Sequence, residues 1–345
     1  MLTRLLSLGG LSILGFLVHP PAATAETEPV PVIDLHVDLS YRSLYKGRPF
    51  AEGSGQYVAR SLYRAGVRGV VLPLYLPEDA SPKGRTRAEL ERSYAHVFRS
   101  IVVTPPYSLF GCSIRRVGSE VRPIETWLAF EGAAPVGADL AEIRKWALRG
   151  VRSFGLVHTS ENSLASSSGQ STVTSGLTQE GRRFVRHVME VGGLVDVSHA
   201  SDQATEDALD LAAEWGGTVI ATHSNARALA PHPRNLTDEQ IRRIAQSGGV
   251  IGINFHQRFL SKDGGRDASL ADVVRQVKHL LRVAGPSALA IGSDFEGGIR
   301  PVAELQDASQ FQVLVRALLR AGVSMDQVHQ LFHENARRVL CSSAG

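Results

Sequence analysis

Three imidazoles and two carboxylates in this 345-residue chain sit where they can do chemistry together: His36 and Asp38, two apart, then Glu131, His199 and His223 far downstream. Neutral imidazole nitrogens and carboxylate oxygens suit Zn²⁺ or a similar borderline divalent ion. Five ligands exceed what one catalytic zinc takes, about three protein ligands plus water, but they serve two ions if one carboxylate bridges. Glu131, alone between the two groups, is the natural bridge. Two ions ~3.5–4 Å apart hold a shared hydroxide and clamp a substrate oxygen, so the implied chemistry is metal-assisted hydrolysis.

For these residues to meet, distant strand ends must converge. Short apolar runs at 30–36, 68–76, 127–131, 151–158, 193–199, 218–223, 250–255 and 289–295 read as eight strands. Amphipathic stretches at 178–191, 202–215, 237–247, 270–284 and 308–321 read as helices between or after them, with start signals at Thr178 and Thr237. Runs that are continuously apolar belong to a parallel sheet covered on both faces. Eight β-then-α units predict a single-domain α/β protein, a (β/α)₈ TIM-like barrel over 26–345, with a doubly wound open sheet as the alternative. In a barrel, His36, Asp38, Glu131, His158, His199, His223, Asn254 and Asp294 all reach the C-terminal rim, where such folds build their sites. One histidine at a strand end is ordinarily structural. Charged groups ending successive buried strands are expensive unless they pair or bind metal.

Composition sets the class. The chain is 43% hydrophobic and 21% charged, with 37 basic against 34 acidic residues, and its arginines are scattered singly along helices. That excludes a disordered or multi-span membrane protein and speaks against a nucleic-acid partner. Residues 1–25 read as a signal peptide: Arg4, an apolar run over 5–18 too short to span a bilayer, and Ala23-Thr24-Ala25 as the cleavage pattern. The mature chain is expected to be periplasmic or secreted and soluble, without a membrane span, as a monomer or homo-oligomer. Cys112 and Cys341 are two thiols or one bridge; the sequence leaves both open.

These residues also carry a resemblance. Ile33 to Asp38, Glu131-Gly132, Asp196-Val197-Ser198-His199, Thr222 to Arg227, His232 to Asn235, Gly248 through Phe255 and Ile291 to Phe295 resemble, in order and rough spacing, the motifs of the membrane dipeptidase (renal dipeptidase) family. The likeness runs from about 30 to 340, and the ordered set is far more specific than any one motif. The resemblance implies a zinc dipeptidase on a distorted α/β barrel, with a binuclear centre, that cleaves free dipeptides and tolerates a D-residue at the C-terminal position. His36 and Asp38 would hold one zinc, His199 and His223 the other, with Glu131 bridging. It further implies that His158 contacts the substrate carbonyl, Arg234 lines the substrate pocket, and Asp294 lies beside the bridging water. Three positions depart from the family pattern: Val37 for Asn, Ala133 for Gly, and His256 for Tyr. They leave the ligand set whole and bear on side-chain preference.

Blander readings hold elsewhere. His96, His187, His279, His329 and His333 lie in helical stretches and read as structural or solvated, and His232 as positional. Asn235-Leu236-Thr237 matches a glycosylation sequon but adjoins a proposed substrate residue, so occupancy is not expected. Residues 165–176, rich in Ser, Thr and Gly, read as a flexible loop placed to cover the site. Two other functions compete with a dipeptidase: another binuclear-metal amidohydrolase, acting on N-acyl amino acids, lactones or lactams, and a catalytically silent metal-dependent binding barrel. The first typically opens with His-x-His and bridges through a modified lysine, unlike His36-Val37-Asp38 with Glu131. Loss of a ligand or of Asp294 would favour the second, and none is lost.

Overall fold

The computed structural model describes residues 28–77, 86–109, 112, 123–169 and 175–342. The segment 1–25, assigned above to a signal peptide, lies outside the described residues. Strands form at the apolar runs: β1 (Val32–Asp34), β2 (Val67–Tyr75), β3 (Tyr107–Leu109), β4 (Ile124–Glu131), β5 (Val151–Gly155), β6 (Leu194–Asp196), β7 (Thr218–Ile220), β8 (Ile251–Ile253) and β9 (Leu289–Ile291). All pair in parallel, in the order β7-β6-β5-β4-β2-β1-β9-β8. A parallel bridge between Ala221 and Ile251 brings the two ends of this path together, so the eight strands form a nearly closed barrel. The ninth, β3, was not foreseen. It pairs with the first three residues of β4 on an edge that β5 reaches only from Leu128 onward.

The barrel is irregular because most strands are three residues long, whereas β2 has nine and β4 eight. The polar residues expected at strand ends therefore fall just beyond them, in the turns. Only Glu131 is itself a strand residue, paired beside Tyr75. The helices Gln179–Glu190, Asp202–Trp215, Asp238–Gln246 and Leu270–Ala284 match the amphipathic stretches, and the last begins as a 3₁₀ turn, Ala308–Gln310, before Phe311–Arg320. Thr178 Oγ1 accepts from Gly181 N, and Thr237 and Gln240 cap each other reciprocally, which explains why these helices start where they do.

Inside the barrel, Ile33, Leu35, Val71, Trp127, Leu194, Ile220 and Ala290 pack with Ala336, Val339 and Leu340 of the C-terminal helix Asn335–Cys341. That helix plugs the end opposite the polar rim. Arg338 donates to the Gly248 and Ser287 carbonyls at 2.7 and 2.8 Å, Arg337 pairs with Glu125, and Arg152 Nε donates to Leu340 O at 3.0 Å. Cys112 and Cys341 form a disulfide, which settles the alternative left open by the sequence. The outer strand faces pack against the helices in a second cluster that includes Phe130, Trp146, Phe154 and Phe184.

Candidate active site

His36 and Asp38 leave β1 two residues apart, and the backbone keeps both in reach of the strand opposite. His36 Nε2 lies 3.7 Å from Asp38 Oδ2 and 3.5 Å from Glu131 Oε1. The same Glu131 oxygen lies 3.1 Å from His199 Nε2, 3.7 Å from His223 Nε2 and 3.9 Å from His158 Nε2. His199 and His223 approach each other at 2.9 Å between Nε2 atoms. Three overlapping triplets each have ligand atoms within 4.8 Å: His36, Asp38 and Glu131; Glu131, His199 and His223; His36, His223 and Asp294. Thus the five residues singled out as ligands converge, and Asp294 joins them.

Burial governs their charge. Desolvation, followed by the nearby Arg234 and His158, lowers His36 to about 3, and burial likewise holds His199 and His223 well below the usual imidazole range. Burial, with neighbouring carboxylates, raises Asp38 and lifts Glu131 to about 8; burial alone, against the Asn254 hydrogen bond and Arg234, lifts Asp294 to about 6. Neutral imidazoles facing crowded carboxylates are the donor set a divalent cation takes. His36 Nε2, buried and without a hydrogen-bond partner among the described residues, is an orphaned nitrogen at the centre of that set. The residues fit a divalent metal centre.

Two buried acids support the histidines, and neither was assigned a role from sequence. Asp196 accepts from Ser198 N at 3.0 Å and from Thr222 Oγ1 at 2.6 Å; the Thr222 hydroxyl in turn lies 2.9 Å from His223 Nδ1. Asp34 accepts from His36 N, Ser293 N and Ser293 Oγ, tying the turn after β1 to the turn after β9. The available signal was strand periodicity: Asp34 stands two residues before His36, on the same face of the extended chain. Such groups fix the orientation of metal-binding histidines.

The other expected residues line a cavity of ≈ 570 Å³ over this cluster. Asp294 accepts from Asn254 Nδ2 at 2.9 Å. Gly297 lets it approach Asp38, since a Cβ there would collide with Asp38 Oδ2. The His158 ring packs 4.5 Å from Tyr75 and 4.4 Å from His199. Arg234 is buried and donates to His223 O at 3.2 Å, while its Nη1 has no partner among the described residues. Asn235 is buried and donates to Ala230 O and Phe259 O, so its amide is used internally and the sequon stays unavailable. His96, His187 and His279 are satisfied away from the cavity, by Ser43, Ala138 O and Asp238.

The loop reading needs correction. Residues 165–168 are buried and held by bridges Ala165–Leu177 and Ser167–Ala200, because the Ser167 and Ser168 hydroxyls and the Ser168 amide bond back to His199 O; among the described residues of this segment, Ser168 and Gly169 reach the cavity. Residues 170–174 lie outside the described set. Among the described residues no helix is long and apolar enough to cross a membrane.

A family model described as membrane dipeptidase (peptidase family M19) matches residues 23–344. The chain is 36% identical over 217 residues to an uncharacterized protein in the pqqA 5′ region of Klebsiella pneumoniae; the match covers 61% of this chain and 79% of that one. It is 35% identical over 211 residues to the dipeptidase tcpJ of Claviceps purpurea, spanning 61% of this chain and about half (49%) of that protein. Among solved structures it is similar to a metallopeptidase from Rhodobacter sphaeroides liganded with a phosphinate mimic of the dipeptide L-Ala-D-Ala, with TM-score 0.78, 25% identity, and coverage of 90% of this chain and 99% of that one. A dipeptidase of family M19 gives TM-score 0.78 at 26% identity, covering 91% and 98%.

Proposed function

The chain belongs to the membrane dipeptidase family, peptidase family M19, and from that premise we propose that it hydrolyses the peptide bond of free dipeptides at a binuclear zinc centre. The observation that carries this reading is the single Glu131 oxygen within 3.1–3.7 Å of His36, His199 and His223, flanked by Asp38. His36 and Asp38 would hold one ion, His199 and His223 the other, with Glu131 as the carboxylate shared between them. Two such ions, when bound, would supply the Lewis acidity that activates water near neutral pH and polarises the scissile carbonyl.

The chain's own residues do the rest. The buried Arg234 guanidinium, with Nη1 uncommitted, receives the substrate's C-terminal carboxylate and limits the enzyme to short, free substrates. His158, at the cavity wall beside Glu131, donates to the oxygen of the attacked carbonyl as charge develops there. Asp294 takes the proton released by the attacking water and delivers it to the leaving amine. A D-residue is tolerated at the C-terminal position, a reading supported by the L-Ala-D-Ala mimic in the Rhodobacter sphaeroides relative. Removal of residues 1–25 on export leaves a periplasmic or secreted enzyme.

The test is a stereochemically defined dipeptide panel on metal-replete protein, with elemental analysis alongside. Two zinc ions per chain and cleavage of free but not C-terminally amidated dipeptides are expected. One ion or none in active protein refutes the binuclear centre, and equal cleavage of amidated dipeptides refutes carboxylate anchoring.

A further inference from the structure

One wall of the cavity carries charge that the reaction above does not use. The 3₁₀ turn Gln257–Phe259 follows β8 and sets Arg258 and Phe259 at the cavity edge, with His256 just before them. Phe259 is the hub of this wall: its ring centroid lies 4.6 Å from His232, 4.8 Å from His256 and 5.6 Å from the Arg234 guanidinium. Arg258 is exposed, lines the cavity, and makes no hydrogen bond or ion pair among the described residues. The acids lining the cavity, Asp38, Glu131 and Asp294, all belong to the ligand cluster at its floor. Burial and then Arg258 and Arg234 hold His232 down to about 4. His256 is lowered by burial, offset by the Arg300 carbonyl and reinforced by Arg258 and Arg300. The two imidazoles therefore stay neutral, and Arg258 is a cation at the cavity edge that no protein carboxylate answers among the described residues.

A substrate side chain leaves the same carbon as its carboxylate. If the C-terminal carboxylate sits on Arg234, the C-terminal side chain passes along Phe259 toward Arg258. We propose that this wall is a subsite for an acidic side chain, so that the enzyme selects dipeptides whose C-terminal residue is Asp or Glu, with Arg258 as the specificity-determining residue. The inference rests on the dipeptidase reading and names its substrate class. Phe259 carries the methylenes of such a side chain, and Arg258 takes its terminal carboxylate.

The experiment compares kcat/KM for Ala–Glu with Ala–Gln and for Ala–Asp with Ala–Asn, in both C-terminal configurations, with Glu–Ala and Gln–Ala as the reversed pair. The acid should be preferred over its amide about fivefold at low ionic strength, as one partly exposed ion pair allows, and the preference should shrink with added salt. The reversed pair should give a ratio near one. Arg258→Ala should bring the acid-to-amide ratio near one, and Arg258→Glu should take it below one. A wild-type ratio near one, or a ratio that Arg258→Glu leaves in place, overturns the subsite while the dipeptidase reading stands. A panel in which no dipeptide is cleaved overturns both.

Discussion

Asp294 adopts φ +66, a left-handed conformation that residues bearing a Cβ rarely take, and Glu296 follows at φ +69. The strain is held in place by bonds from outside the turn: Asp294 N donates to His36 O, and the buried Glu296 carboxylate accepts from Arg42 and from the amides of Gln56 and Tyr57. The result aims one carboxylate at the histidine cluster, where it acts either as a proton carrier or as a support for its neighbours. Asp294→Asn separates the two. As a proton carrier it should keep both metals and still bind dipeptide, yet lose about 10²–10⁴ in kcat. Metal loss with normal turnover per remaining metallated molecule, read by elemental analysis and active-site titration, would remove the proton role. Arg234→Lys is a second test at this scale. A single ammonium cannot reproduce a planar pair of donors, so KM should rise roughly tenfold or more with metal content intact. An unchanged KM would place the carboxylate elsewhere.

At the scale of elements, barrel closure depends on backbone contacts that leave no room for side chains. A Cβ at Gly252 in β8, or at Gly292 just after β9, would fall on the Thr222 carbonyl oxygen, inside van der Waals contact. Thr222 is the residue whose hydroxyl joins Asp196 to His223. Overpacking typically costs about 1–3 kcal/mol, and here it pushes on the turn that carries His223, one of the proposed ligands. Gly292→Ala should therefore lower Tm by several degrees and weaken metal retention together. A variant that melts lower but holds metal as tightly as wild type would show that the ligand turn is mechanically separate from barrel closure.

Across the whole molecule, the two ends of the barrel have different duties. The C-terminal rim carries the polar cluster, and the opposite end is stoppered by Asn335–Cys341, bound by Arg152, Arg337 and Arg338 and tied to Cys112 across 229 residues of sequence. Closing so long a loop in the unfolded chain is worth at most about 5 kcal/mol in the chain-entropy account. Cys112→Ser with Cys341→Ser should accordingly lower Tm markedly while leaving kcat/KM and metal content near wild type, because the bond sits at the far end from the reaction. A loss of activity in still-folded protein at assay temperature would mean that the plug transmits to the rim.

The sequence by itself determined the class of fold and the family, and it singled out the five residues, His36, Asp38, Glu131, His199 and His223, that the fold brings together and that we propose as metal ligands. Periodic apolar runs ending in polar groups are a local pattern, and burying five such groups without a cation is too costly to be accidental. It did not reveal β3, whose three residues owe their strand geometry to the edge of β4 rather than to their own pattern. Nor did it show that Asp34 and Asp196 bond across neighbouring turns to hold the histidines, or that 165–168 is pinned rather than loose. The cysteines were legible as residues but not as a pair. Each of these depends on which distant segments the barrel closure brings within about 3 Å, and a linear pattern carries no such distances. The charge on the Phe259 wall belongs here too: Arg258 reads as one more scattered arginine until the turn after β8 places it at the cavity edge with no carboxylate to meet it.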